Sequence, residues 1–73
     1  MGKLRVLSGR EACAILAAHG FIEVRQRGSH MIMQRQDTGA TTTVPVPLHR
    51  ALKLGTTASI VRQSGLPPTL FEV

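Results

Sequence analysis

The strongest constraint on the fold is the β-rich middle segment FIEVRQRGSHMIMQRQDTGATTTVPVP, in which RGS and DTG interrupt runs of strand-forming residues. Glycine in each turn allows the positive φ that a tight hairpin needs. The segment therefore predicts strands over residues 21–26, 30–36 and 41–46. Because Pro45 and Pro47 lack an N–H for the ladder, we expect the last strand to end there or to turn these positions toward an edge.

Helices are predicted on both sides of the strands. SGREACAILAAHG begins with a capping box, Ser8 and Glu11, and Gly20 can end this helix, predicted over residues 8–19. Helical spacing gives it one buried stripe, formed by Ala12, Ile15, Leu16 and His19. The second helix is predicted over residues 57–64. Thr56 or Thr57 is the predicted N-cap of this helix, and Gly65 is its predicted stop. A short terminal turn over residues 67–71 is expected to cover an open edge of the core.

These elements predict an α+β fold in the order α-β-β-β-α, with a three-stranded antiparallel sheet and both helices on one face. Double-stranded-RNA-binding domains share this topology and recognise RNA by shape and phosphate contacts, although topology alone is weak evidence of function. The 73 residues contain no repeat or linker, so residues 1–73 are expected to form a single domain. A domain of this size has no room for a large substrate pocket.

Composition indicates the kind of binding partner and the cellular compartment of the protein. Nine Lys and Arg against four Asp and Glu give a net charge of +5, as expected for a partner rich in phosphate, although solubility alone also explains a basic surface. The one cysteine, Cys13, is expected in the core and cannot form an internal disulfide. The start MGKLRVLSGR lacks the apolar region of a signal peptide, and no apolar run would span a bilayer. We expect a cytoplasmic protein without membrane contact.

The stretch RQRGSH contains the candidate chemical group. Gly28 and Ser29 form the predicted turn, His30 follows on a rigid strand, and Arg25 and Arg27 precede it. RNA cleavage by the 2′-hydroxyl needs a base, for which histidine is suited, and positive groups near the phosphate. Taken alone, these residues favour a polar turn histidine over a catalytic one, so both interpretations remain open.

The remaining polar residues suggest contact with a nucleic-acid backbone rather than with bases. With no Tyr or Trp and only two Phe, base stacking is not expected. Candidate phosphate contacts are the side chains of Arg25, Arg27, Arg35, Arg50, Lys53 and Arg62, with the backbone N–H groups of Gly28 and Ser29. His19 is interpreted as a helix C-terminal residue and His49 as a solvated loop residue that phosphate could also contact. No metal-ligand spacing is present, and no cofactor is expected.

Two alternatives do not involve catalysis. The first is an RNA-binding module that uses the same fold and charge without chemistry. The second is an interaction domain in which Met31 and Met33 dock a protein, although a core position is favoured for this pair. Walker, GxSxG and paired-carboxylate motifs are absent from the sequence, so it offers no support for an NTPase, an esterase or a glycosidase.

Four blocks, in this order, resemble the HicA family of mRNA interferase toxins: LSGREACAILAAHGF, RQRGSH, TVPVPLHRALKLGT and SIVRQSGL. The resemblance covers nearly the whole chain. It implies a compact fold like that of double-stranded-RNA-binding domains, metal-independent endoribonuclease action on mRNA, growth arrest, and a HicB-like antitoxin that covers the active site. It also implies that His30, which matches the histidine of the family's GSH motif, is the catalytic residue.

Overall fold

The structure is a computed structural model that describes residues 2–73, so residue 1 of the predicted domain lies outside the described residues. The predicted α+β class and the order α-β-β-β-α are confirmed. No helix in the described part of the chain is long and apolar enough to cross a membrane. The bounds are α1 Gly9–Ala18, β1 Ile22–Arg27, β2 His30–Asp37, β3 Ala40–Pro47, α2 Leu54–Ser64 and a 3₁₀ turn Pro68–Phe71.

The start of α1 is fixed by the predicted capping box. The Ser8 hydroxyl accepts a hydrogen bond from the Glu11 N–H at 3.0 Å, and the Ser8 N–H donates to Glu11 Oε1 at 2.8 Å. The Ser8 backbone N–H, and after it the Ser8 side chain, interact with the Glu11 carboxylate and hold its pKa below the ordinary value. The helix therefore begins where the sequence predicts, one residue after its cap.

The buried side of α1 differs from the predicted stripe. Ala12 and Leu16 are fully buried as predicted, whereas His19 is the exposed C-cap and Ile15 is only partly buried. The remaining buried positions of the helix are Gly9 and Cys13. The prediction that His19 belongs to the buried stripe was wrong because the helix ends at Ala18, whereas its predicted place at the C-terminal end of the helix is confirmed. Burial raises the pKa of the Cys13 thiol, in keeping with its predicted core position.

The second helix begins earlier than predicted. Its N-cap is Lys53, which makes no side-chain cap bond, so the prediction of a threonine cap was wrong. The reason is that Thr57 is fully buried, with its hydroxyl donating a long hydrogen bond of 3.5 Å to the Lys53 carbonyl. Thr57 thus serves as a core residue at the end of the first turn. The helix ends as predicted at Gly65, which has a φ of 71°.

The sheet has the order β1-β2-β3, with both pairs antiparallel, and it packs one face against the helices. Met31 is 7% exposed and Met33 is 0% exposed, and both belong to the main core cluster, which confirms their predicted core position. An interaction domain that docks a partner on these methionines is therefore excluded. The rest of that cluster is Leu7, Ala12, Cys13, Leu16, Phe21, Val44, Val46, Leu52, Ile60, Val61 and Phe71.

The ends of the chain close the core at its edge. Phe71, in the predicted terminal turn, is completely buried, and its carbonyl accepts a hydrogen bond from the Arg5 N–H at 2.7 Å. Leu4 and Glu72 form an isolated antiparallel bridge beside it. The two terminal segments are therefore joined through their backbones, beside the buried Phe71 side chain.

Candidate functional site

The β1–β2 hairpin places His30 beside a tight turn. Arg27 pairs with His30 across a loop of two residues, Gly28 and Ser29. Gly28 has a φ of 57°, whereas no residue other than glycine has a positive φ in the described chain. A positive φ at the first loop position alone is the pattern of a type II′ turn, for which Gly-Ser is well suited. The exposed His30 side chain therefore starts from a fixed backbone.

A β-bulge in β1 places the two arginines on the same face as His30. The register shifts between Glu23 and Arg25, so Val24 has no partner of its own. Glu23 pairs with Met33 on the core side, and strict alternation would put Arg25 and Arg27 there too. The extra residue reverses this alternation, because Arg25 pairs with Ile32 and Arg27 pairs with His30. Both guanidinium groups thus leave the sheet on the side away from the helices.

We call that side of the sheet the open face. It carries none of the four acidic residues of the chain, which lie in α1, on the opposite side of the sheet or in the C-terminal segment. Its positive groups are those of Arg25 and Arg27, with His30 as a titratable neighbour. The open face is formed by Ile22, Val24, Arg25, Arg27, His30, Ile32, Gln34, Gln36, Thr41, Thr43, Pro45 and Pro47.

The open face is partly apolar. Ile32 is only 9% exposed although it lies outside the main core cluster, because Arg25 and Pro45 are its neighbours on the two flanking strands. Farther along the sheet, a shallow cavity of about 420 Å³ opens on this face. Its lining is Gly20, Ile22, Val24, Gln34 and Gln36.

Arg35, a candidate phosphate contact, lies on the opposite side of the sheet from His30. Its guanidinium carbon is 4.8 Å from the centre of the Phe21 ring, and its Nε atom is 3.3 Å from an oxygen of Asp37. Its Nη2 atom also donates a long hydrogen bond of 3.5 Å to the Ser64 carbonyl at the end of α2. Five residues along a strand also separate it from His30 by roughly 16 Å. Arg35 therefore connects β2 to the helices and does not join the arginines of the open face.

Two further candidates, Lys53 and Arg62, lie at the two ends of α2. Lys53 is exposed at the N-cap of α2, and Arg62 lies in the last turn of that helix, where it donates a hydrogen bond to the Ser59 hydroxyl at 3.1 Å. Among residues 2–73, no three His, Cys, Asp or Glu side chains are grouped so as to hold a metal ion. The structure thus brings together Arg25, Arg27 and His30 with the turn, and it leaves Arg35, Lys53 and Arg62 on other elements or on the opposite face.

The segment after β3 returns to the His30 turn. The Leu48 N–H donates to the Ser29 carbonyl at 2.7 Å, and the His49 carbonyl accepts from the Gly9 N–H at 2.9 Å. Gly9 is buried at the start of α1, where an added Cβ would overlap the Pro47 carbonyl oxygen and lie 2.8 Å from the Leu48 Cα. Sequence reasoning missed Gly9; the indication was a glycine inside the first helical turn, where it is otherwise unfavourable.

Gly9→Ala should destabilise the fold and disturb the segment that borders the turn. The added methyl group would meet backbone atoms, which cannot rotate away as a side chain could. We expect a loss of about 1–3 kcal/mol in the free energy of unfolding, as for other overpacked core positions. Urea denaturation measures this loss. Gly55→Ala is the control, because a Cβ at Gly55 meets nothing within 4 Å; an equally large loss there would contradict the steric explanation.

The fold and the site define a class: a small α+β domain with an exposed histidine and two arginines on an acid-free sheet face. A match to a known protein family narrows this class further. Residues 9–66 match a family model described as "HicA toxin of bacterial toxin-antitoxin". This chain belongs to the HicA toxin family, so it is a toxin of a toxin–antitoxin system and an antitoxin partner is implied. No curated protein matches the chain.

Proposed function

We propose that this HicA-family protein is a metal-independent endoribonuclease that cleaves mRNA in the cytoplasm and so arrests translation and growth. The observation that carries the proposal is the grouping of His30, Arg25 and Arg27 on a face without acidic residues. Such a face attracts a polyanion, and the imidazole supplies a base on a rigid strand. The family membership supports the same function, since it defines a toxin.

The chemistry assigned to His30 is general-base catalysis. Its imidazole takes the proton of a ribose 2′-hydroxyl, and the 2′-oxygen then attacks the adjacent phosphorus. Arg27 is its direct cross-strand neighbour, and Arg25 is the neighbour of Ile32, the next open-face residue of β2. We therefore assign to both guanidinium groups the stabilisation of the negative charge that develops on the phosphate. Close cross-strand neighbours lie about 5 Å apart at their Cβ atoms, within reach of one phosphate group.

The test is cleavage of a defined RNA by the purified protein in the presence of EDTA. The expected products carry a 2′,3′-cyclic phosphate and a 5′-hydroxyl, because the 2′-oxygen is the nucleophile. The same oligonucleotide with a single 2′-deoxy position at the cleaved linkage should stay intact there. Salt-dependent RNA binding without new ends would show instead a non-catalytic RNA-binding module and would overturn the enzymatic proposal.

The arginines of the open face should determine the salt dependence of RNA binding. For a single strand, removing one positive side chain that binds a phosphate lowers the magnitude of the slope of log K against log salt by about 0.7. Arg25→Gln combined with Arg27→Gln should therefore lower it by about 1.4, which fluorescence anisotropy with an uncleavable 2′-deoxy oligonucleotide can measure. Arg62→Gln and Arg35→Gln remove the same charge on the helix side and should leave the slope nearly unchanged. A larger effect from either control would indicate that the RNA binds the helix side of the sheet instead.

We propose that a HicB-like antitoxin covers the same open face. A protein partner with acidic side chains would be steered by the two arginines and would bury His30 when bound. The double variant used for RNA binding should therefore also bind the antitoxin more slowly. Stopped-flow measurements of association at low and high salt test this point, and an unchanged association rate would place the antitoxin elsewhere on the toxin.

A further inference from the structure

We propose that His49 is a second catalytic residue, the general acid that protonates the leaving 5′-oxygen. This inference rests on the proposed ribonuclease function and completes it. A base on the 2′-hydroxyl assists only the first of two proton transfers, because cleavage leaves a 5′-oxygen that also needs a proton. Arginine is a poor proton donor near neutral pH, since it stays protonated to very high pH. Histidine is suited to the task.

The backbone places His49 near His30. Pro47 is the cross-strand partner of His30, so the two residues share the open face. The hydrogen bond from Leu48 to Ser29, at 2.7 Å, continues the pairing one residue beyond the end of β3. The residue after Leu48 is therefore a diagonal neighbour of His30, and such neighbours lie about 7–8 Å apart in an antiparallel pair.

Side-chain alternation then gives His49 its direction. Leu48 packs against the core cluster, and side chains of successive residues leave an extended segment on opposite sides. His49, which is exposed, thus leaves on the side that carries Pro47 and His30. Its backbone is held on the other flank, because its carbonyl accepts the Gly9 N–H at 2.9 Å. The two imidazoles start from anchored backbone positions on the same face of the protein.

A separation of this size suits the reaction better than direct contact would. In an in-line displacement the attacking and leaving oxygens lie on opposite sides of the phosphorus, so the base and the acid must also stand apart. His30 takes the 2′-hydroxyl proton as the bond from the 2′-oxygen to phosphorus forms. The bond from phosphorus to the 5′-oxygen breaks as the His49 imidazolium gives that oxygen its proton. The products are a 2′,3′-cyclic phosphate and a 5′-hydroxyl, and proton exchange with water restores both histidines.

The deciding experiment compares two RNA substrates that differ at the leaving atom. One is an oligonucleotide that the wild-type protein cuts at a single linkage, and the other carries sulfur in place of the 5′-oxygen at that linkage. A thiolate leaves without being protonated, so the sulfur substrate needs no general acid. His49→Ala should slow cleavage of the oxygen substrate about 10²–10⁴-fold, but it should cleave the sulfur substrate within about tenfold of the wild-type rate. His30→Ala should stay slow on both substrates.

Each outcome assigns or removes the role of His49. Near wild-type cleavage of the oxygen substrate by His49→Ala overturns the proposal, and so does an equal loss on both substrates, which would indicate binding or positioning. His49→Gln, which keeps a polar side chain but cannot act as the acid, should behave like the alanine variant. Thermal unfolding shows whether the variants stay folded. If the wild-type protein cleaves neither substrate, it is the ribonuclease function itself that fails, and the two failures are thus distinguishable.

Discussion

Replacing His30 with alanine should lower the rate of the proposed RNA cleavage about 10²–10⁴-fold, the usual contribution of a positioned general base. The variant should remain folded, because His30 is exposed and its imidazole takes part in no hydrogen bond among the described residues. RNA affinity should change little, since Arg25 and Arg27 remain in place. Single-turnover cleavage measures the rate, and anisotropy with an uncleavable RNA measures the affinity. In cells, growth arrest should be relieved while the toxin remains abundant.

The matched control is His19→Ala. That histidine is also exposed, but it caps the C-terminal end of α1 on the helix side of the sheet. It should leave cleavage close to the wild-type rate, with at most a small change in stability from the helix end. Comparable losses from the two substitutions would show that the assay responds to charge or stability rather than to a base at position 30. Full cleavage by the His30 variant would remove His30 from the catalytic role.

Much of the fold could be predicted because its signals are local. The capping box of α1, the Gly-Ser turn before His30 and the glycine at the end of α2 each depend on residues close together in the chain. The positions of the prolines in β3 also follow from the missing N–H group of proline. The hydrogen bond of Leu48 to Ser29 makes Pro45 and Pro47 non-hydrogen-bonded positions of the ladder, where an N–H would point to the outer edge.

The composition of the site depends on features that a sequence pattern does not show. The bulge at Val24 inserts one residue into β1, and without it both arginines would lie on the core side of the sheet. Nothing in EVRQR indicates where an alternation is interrupted. Arg35 lies apart from the open-face arginines for the related reason that its position on β2 fixes the opposite face, where it packs over Phe21. The proximity of His49 to the turn depends on a contact between residues distant in the chain.

The second large effect concerns stability: Phe71→Ala should leave most of the protein unfolded at 37 °C. Phe71 is completely buried and belongs to the main core cluster, and its backbone carbonyl holds the Arg5 N–H. Truncating a buried phenylalanine costs about 3–5 kcal/mol. The core of so small a domain rarely supplies more than about 3–5 kcal/mol in total. Urea or thermal denaturation followed by circular dichroism should therefore show little or no cooperative transition.

Phe71→Leu tests whether the loss of stability comes from the lost apolar contact. Leucine keeps most of the apolar contact at a buried site, so this variant should unfold cooperatively with a smaller loss of stability. A stable, cooperatively folding Phe71→Ala protein would mean that the terminal segments are not needed to close the core. In cells, the alanine variant should lose growth arrest together with protein abundance, because unfolded protein is degraded. The His30 variant should lose growth arrest at normal abundance, so the two measurements together distinguish a damaged fold from a missing base.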